Sequence, residues 1–222
     1  MIKPLVVGLA LLCLTASNIS RADEYRRFET RPGVTVSAIV VAPKVPRAVA
    51  ILFSGGRGVI GVRPEGTIRY ASNFLVASRD RFARNGIVAV VVDAPSDRIN
   101  EGLEGGFRES AAHADDIRHV IQALRRDYKL PLWLVGTSRG STSVANAGIR
   151  LQDAPPDGLV LTSSISRENR RGGNLLDMKL SEIRVPTLVA HHLEDECWVT
   201  PYDGAVEIED ALTGAGRAEL MA

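Results

Sequence analysis

Between Ile87 and Val92 the chain reads Ile-Val-Ala-Val-Val-Val, apolar at odd and even positions alike. Such a run has no face to offer water, so it suits a strand covered by other structure on both sides. Leu132 to Val135, Leu159 to Leu161 and Thr187 to Ala190 have the same character. Helical stretches lie between them: Tyr70 to Arg84, Glu109 to Tyr128, and Ser141 to Leu151. In the second, Ile117, Val120, Ile121, Leu124 and Tyr128 recur at the three- and four-residue spacing of one helix face. Strand and helix therefore alternate from Ala48 onward. That order predicts an α/β sandwich with a mostly parallel sheet, whose active sites sit at the carboxyl ends of strands.

Two earlier runs, Val34 to Val41 and Ala48 to Phe53, follow the turn signals Pro32-Gly33 and Pro46 and are expected to pair antiparallel. No internal repeat or low-complexity segment interrupts the pattern. The polar stretch Arg167 to Asn174, with Gly172-Gly173, is a candidate mobile loop over a site, or an ordinary solvated connection.

Charge narrows the partners. The chain of 222 residues has 27 Lys plus Arg against 26 Asp plus Glu, so no basic excess exists to neutralise a nucleic-acid backbone. Residues 1 to 22 read as a secretory signal peptide: Lys3 is the positive end, Leu5 to Leu14 the apolar stretch, and Ser20-Arg21-Ala22 a small-x-small cleavage site. Cleavage after Ala22 would remove Lys3 and Arg21 and no acid, leaving 25 basic and 26 acidic residues in 23–222. Export to a periplasmic or extracellular space follows, with no membrane attachment after cleavage, because the apolar run falls short of the ~20 residues of a spanning helix. Of the two cysteines, Cys13 would leave with the signal and Cys197 would remain unpaired, which is unusual in an oxidising compartment.

The most specific motif is Gly136-Thr137-Ser138-Arg139-Gly140, a G-x-S-x-G directly after a buried strand and before a helix. A strand that reverses into a helix within so few residues forces Ser138 into a strained conformation and lifts its hydroxyl above the sheet. Glycines on both sides leave room for that reversal. The amide of Arg139, at the start of the helix, can then face an oxygen that becomes negative during attack.

On this strand-elbow-helix, and on a late strand followed by an acid, the sequence from Val34 to the end resembles the α/β-hydrolases. The resemblance implies an α/β-hydrolase-like three-layer sandwich with a mostly parallel central sheet. It also implies a serine hydrolase that cleaves an ester or related acyl bond of a small-molecule substrate through an acyl-enzyme at Ser138, without a cofactor or metal. In that family a second oxyanion amide comes from a loop after an earlier strand. Here Ser54-Gly55-Gly56-Arg57-Gly58 follows Phe53, so an amide near Gly55 or Gly56 is expected to work with that of Arg139. The same glycine run lacks the Lys-Ser/Thr ending of a P-loop, which argues against a nucleotide. The acid is expected at Asp195, with Glu194 and Glu196 as alternatives should the register shift.

The base is where the sequence departs from the family. The expected order is Ser, acid, His, yet no histidine follows Asp195. His113 and His119 read as packing or surface residues, and His191 and His192 precede the acid at the end of its strand. The expectation drawn from this is a domain, 23–222, that lacks its C-terminal strand and histidine loop. Two other readings remain open: a binding protein on the same fold without turnover, and a metal-assisted hydrolase using the cluster His191-His192-x-Glu194-Asp195-Glu196-Cys197. Adjacent histidines on a strand point to opposite faces, which counts against that last reading. Asp93, at the end of the Ile87 strand, reads as a loop-ordering or substrate-rim group. The connection 162–186 is too short for a large cap, and Arg167, Arg170 and Arg171 within it read first as an ordinary solvated basic loop, and second as a feature favouring anionic or polar substrates. Oligomeric state is open.

Overall fold

The computed structural model describes residues 23–222; the signal reading and Cys13 lie outside the described residues. A single eight-stranded sheet runs through the molecule. Its strands are β1 (Glu24–Glu29), β2 (Thr35–Val41), β3 (Ala48–Phe53), β4 (Ile87–Pro95), β5 (Leu132–Thr137), β6 (Gly158–Thr162), β7 (Thr187–Ala190) and β8 (Ala218–Met221). The spatial order is β1-β2-β4-β3-β5-β6-β7-β8. β2 is antiparallel to both β1 and β4, and every other pair is parallel.

The expected pairing of the first two runs is therefore wrong. β4 lies between β2 and β3, with Val40 opposite Val90 on one side and Ile51 opposite Val90 on the other. The physical reason lies in the connection. Residues 42–47 carry Pro43 and Pro46, whose fixed φ and missing N–H oppose a tight hairpin. β3, apolar throughout, instead finds two parallel neighbours, β4 and β5.

Among the described residues four α-helices cover the sheet: α1 (Phe74–Arg84), α2 (Ala111–Tyr128), α3 (Arg139–Arg150) and α4 (Tyr202–Ala211). Side chains along the strands divide by period 2, as pleating requires. Val49, Ile51, Phe53, Val88, Val90 and Val92 join a core shared with α2, α3 and α4. Ala50, Leu52, Ala89 and Val91 join a second core on the opposite face, with Leu75 and Val76 of α1. The doubly apolar runs thus feed two cores at once, which is the three-layer sandwich the sequence predicts. Helix starts follow local capping: Asn73 accepts from the Leu75 amide and Ser110 from the His113 amide. α1 accordingly begins at Phe74 rather than at Tyr70, the expected start, because the Asn73 side chain satisfies one of the free donors of the first turn there.

One strand that the sequence reading did not mark closes this edge of the sheet. Ala218–Met221 pairs parallel with β7 from Thr187↔Ala218 to Ala190↔Met221. This edge strand is only four residues long and half exposed, so it carries no apolar run for sequence periodicity to detect. β1 and α4 were equally silent, β1 because Glu24-Tyr25-Arg26-Arg27-Phe28-Glu29 is a polar edge. Among the described residues, no helix is long and apolar enough to cross a membrane.

Candidate active site at the carboxyl edge of the sheet

Ser138 sits between β5 and α3 with φ 53° and ψ −125°, a positive φ that a side-chain-bearing residue rarely adopts. Its amide donates to the carbonyl of Thr162 at 2.9 Å, which ties the turn to the end of β6. Its carbonyl is held from α3, by the Ser141 amide at 3.0 Å and the Ser141 hydroxyl at 2.5 Å. Strain of this kind, of order 1–3 kcal/mol, persists only where the surroundings over-determine it.

The flanking glycines are required by contact rather than by flexibility. A Cβ on Gly136 would lie 2.5 Å from the carbonyl oxygen of Gly140, and one on Gly140 would collide with the carbonyl of Phe53 at the end of β3. The first turn of α3 thus packs directly against the backbone of β5 and β3. Arg139 opens α3, so its amide has no acceptor within the helix.

The glycine loop after β3 reaches the same place. A Cβ on Gly55 would lie 3.1 Å from Ser138 Cβ and 3.7 Å from its Oγ, so the loop backbone rests against the serine. Gly56 (φ 61°) and Gly58 (φ 75°) take left-handed conformations. Gly58 is also packed: a Cβ there would meet Leu103 Cδ1 at 2.6 Å and Arg108 Nη2 at 2.7 Å.

Two residues beneath this loop fix its course. Arg108 is fully buried. It donates from Nη2 to the carbonyls of Ser54 (3.1 Å) and Gly56 (3.3 Å) and from Nη1 to Ser143 Oγ (2.7 Å). Burial lowers its pKa to about 9, the positive Arg139 adding to the effect and Glu104 opposing it. Ser143 Oγ also meets His113 Nε2 at 2.9 Å. His113 is pushed down to about 3, first by burial and then by the charges of Arg108 and Arg31, so it is neutral at pH 7. His113 is thus a packing residue, as expected. Asp93 accepts from the amides of Ile60 and Val62, both at 2.8 Å, and from Ala94 at 2.9 Å. Burial raises its pKa while those amides oppose the rise. Of the two roles the sequence allows it, loop ordering is the one these contacts describe.

Asp195 lies in the loop after β7, half-buried. Its Oδ1 accepts from the Cys197 amide (3.0 Å) and its Oδ2 from the Thr200 hydroxyl (3.1 Å). His191 Nε2 stands 3.3 Å from the same Oδ2 and donates to the Thr200 carbonyl at 2.7 Å. The ring is buried against Tyr202, and the His191 amide donates to the Met221 carbonyl of β8. His192 is exposed, its Nδ1 accepting from the Glu194 amide. Strand alternation thus separates the two histidines, and among the described residues no three metal-ligating side chains converge. Nor does any of the four histidines hydrogen-bond Ser138.

The 162–186 connection holds only two short turns, Leu175–Asp177 and Leu180–Glu182. Arg139 reaches across to it, donating to the carbonyls of Arg171 (3.0 Å) and Gly172 (2.6 Å) and to Asn169 Oδ1 (2.7 Å). Arg167 turns the other way and pairs with Asp203 and Glu207 of α4. Nothing in the sequence marks Arg108 or Ser163, which with Ser138 and Lys129 is one of three non-glycine residues at positive φ among the described residues (41°, after β6). The first is one arginine in a polar stretch, and the strain of the second arises only from the neighbouring strand ends.

No family model matches the chain, and no curated protein matches it. Solved structures do. It is similar to a cold-adapted esterase from an Arctic intertidal metagenomic library, with 15% identity, 88% of this chain and 81% of that chain covered, and a TM-score of 0.62. An α/β serine hydrolase without lid from Xanthomonas campestris aligns at 18% identity over 90% and 84% of the two chains, with a TM-score of 0.60. A soluble variant of monoglyceride lipase from Saccharomyces cerevisiae aligns at 10% identity over 91% and 86%, with a TM-score of 0.65. With its mostly parallel sheet, its strained serine between β5 and α3, and these neighbours, the chain has the α/β-hydrolase fold.

Proposed function

We infer that the protein is a serine hydrolase that cleaves an ester or related acyl bond of a small molecule. The observation that carries this reading is the strained Ser138, at φ 53°, with the Gly55 backbone packed against its side chain. In the reaction Ser138 Oγ bonds to the substrate carbonyl carbon while its proton passes to a base. The carbonyl oxygen takes the negative charge, facing the amides of Arg139 and of the loop near Gly56. When the tetrahedral species collapses, the bond to the leaving oxygen breaks and that oxygen takes the proton as an alcohol. Water then attacks the acyl-enzyme, giving the acid and restoring the serine.

Asp195 is assigned to orient the base and to stabilise its positive charge. The base itself is assigned to a histidine in chain that follows β8. Because β8 is parallel to β7, chain leaving Met221 emerges at the sheet edge that also carries Ser138 and Asp195. Export, with the mature chain beginning at Asp23, belongs to the same reading.

A fluorophosphonate probe tests the chemistry, since it phosphonylates an activated serine. Labelling is expected at Ser138 in a chain extended beyond codon 222, and none in Ser138→Ala. The binding-protein reading is favoured by one observation, the lack of any histidine bonded to Ser138. An extended chain that stays unlabelled would establish that alternative over the hydrolase.

A further inference from the structure

A cleft of about 640 Å³ opens beside the elbow, between the first residue of α3 and the loop that carries Asp195. Arg139, Arg170 and Arg171 line it together with Glu168, Trp198 and Val199. A second hollow, of about 380 Å³, adjoins it and shares Arg170 and Arg171.

The charge in this cleft is poorly neutralised. Arg139 spends its hydrogen bonds on two carbonyls and one amide oxygen, none of them charged. Arg170 is exposed, with no ion pair among the described residues. Arg171 has only Glu104 near it, at 4.0 Å. Burial lowers the Arg139 pKa, and the positive Arg171 adds to that effect while Glu104 opposes it. Glu168 is the one carboxylate in the wall, against three guanidinium groups. Arg167 shows the contrast: four residues or fewer away in sequence, it is fully paired with Asp203 and Glu207. Trp198, which lines the same cleft, is 69% exposed and presents a flat apolar surface.

Resting on the hydrolase reading of Ser138, we propose that the cleft selects esters that also carry a carboxylate, the anion held by Arg170 and Arg171 and the apolar body laid on Trp198. A guanidinium fork matches a carboxylate in shape and charge. An indole face adds apolar contact at little cost in conformational freedom. The hemiester of a dicarboxylic acid meets both demands and places its ester toward the elbow.

The test separates recognition from chemistry by measuring binding to Ser138→Ala, which cannot turn over. Monobenzyl succinate and its neutral amide analogue, in which CONH2 replaces the free carboxylate, are titrated by calorimetry at low salt. The hemiester is expected to bind about tenfold more tightly than the amide. The gap should shrink as salt rises and disappear in R170Q/R171Q. Equal affinities, no measurable binding of the hemiester, or a gap that survives R170Q/R171Q would overturn the proposal. Circular dichroism shows whether the double variant is folded; if it is not, the single exposed change Arg170→Gln must narrow the gap on its own. Fluorophosphonate labelling of the chain extended beyond codon 222 reports independently on Ser138, so a silent serine there with selective binding would sink the hydrolase reading and not the selectivity.

Discussion

His113 illustrates how a side chain outside the chemistry still sets the conditions under which the site exists. It lies under the glycine loop, bonded to Ser143, and is neutral because burial and two arginines exclude its proton. In the unfolded chain an imidazole takes a proton near pH 6.5. Below that pH the unfolded state therefore binds a proton that the folded state refuses until about pH 3. The stabilisation is complete above pH 6.5 and drains away as the solution is acidified toward the folded value, by up to about 1.4 kcal/mol per pH unit. Urea unfolding at pH 7 and pH 5 should show the native protein losing about 2 kcal/mol more than His113→Gln, whose amide keeps a partner for Ser143. Equal losses in both proteins would mean that the imidazole is not excluded from protonation. Arg108, beside it, has the companion role of fixing two loop carbonyls, which leaves the amides of the same peptides to point elsewhere.

At the level of elements, the site is a meeting of strand ends whose loops are anchored from below. Asp93 at the end of β4 holds the amides of Ile60 and Val62, in the segment that continues the glycine loop. Asp93→Ala strips both donors of their acceptor and is expected to destabilise the fold by about 2–4 kcal/mol. Hydrogen exchange supplies the local readout: the amides of Ile60 and Val62 should lose protection before those of β5, and unchanged protection would remove Asp93 from this role. Much of this level was legible in the sequence. The strands that became β3 to β7 declare themselves by burial on both faces, and Ser138 by its glycines. Asp93 was legible as a strand-end carboxylate with two possible roles. What was not legible depends on contacts between distant segments. β2 passes over its neighbour in sequence to pair with β4, and β1 and β8 are edges whose polar composition hides them. Arg108 acquires its meaning only when α2's approach brings it under a loop about fifty residues earlier.

For the molecule as a whole, the near balance of 27 basic and 26 acidic residues hides an uneven distribution. Arg26, Arg79 and Arg118 are paired with Asp127, Asp23 and Asp153. Beside the elbow, three guanidinium groups share one wall with a single carboxylate, Glu168. The export reading also belongs to this scale. Protein recovered from a periplasmic or culture fraction should give an amino-terminal sequence starting at Asp23, whereas an intact Met1 on all material would set that reading aside. With residues 1–22 removed, Cys197 would be the sole thiol, and it is exposed.

Arg139 joins two tasks that are chemically separable. Its peptide group begins α3, and its guanidinium crosses to the 169–172 segment. If the developing charge is met by main-chain groups, mutation at this codon leaves the reaction's electrostatics in place while it releases or re-docks a wall of the cleft. Evolution could then retune what the protein accepts by drifting the second residue after Thr137, with the bond-breaking apparatus handed down intact.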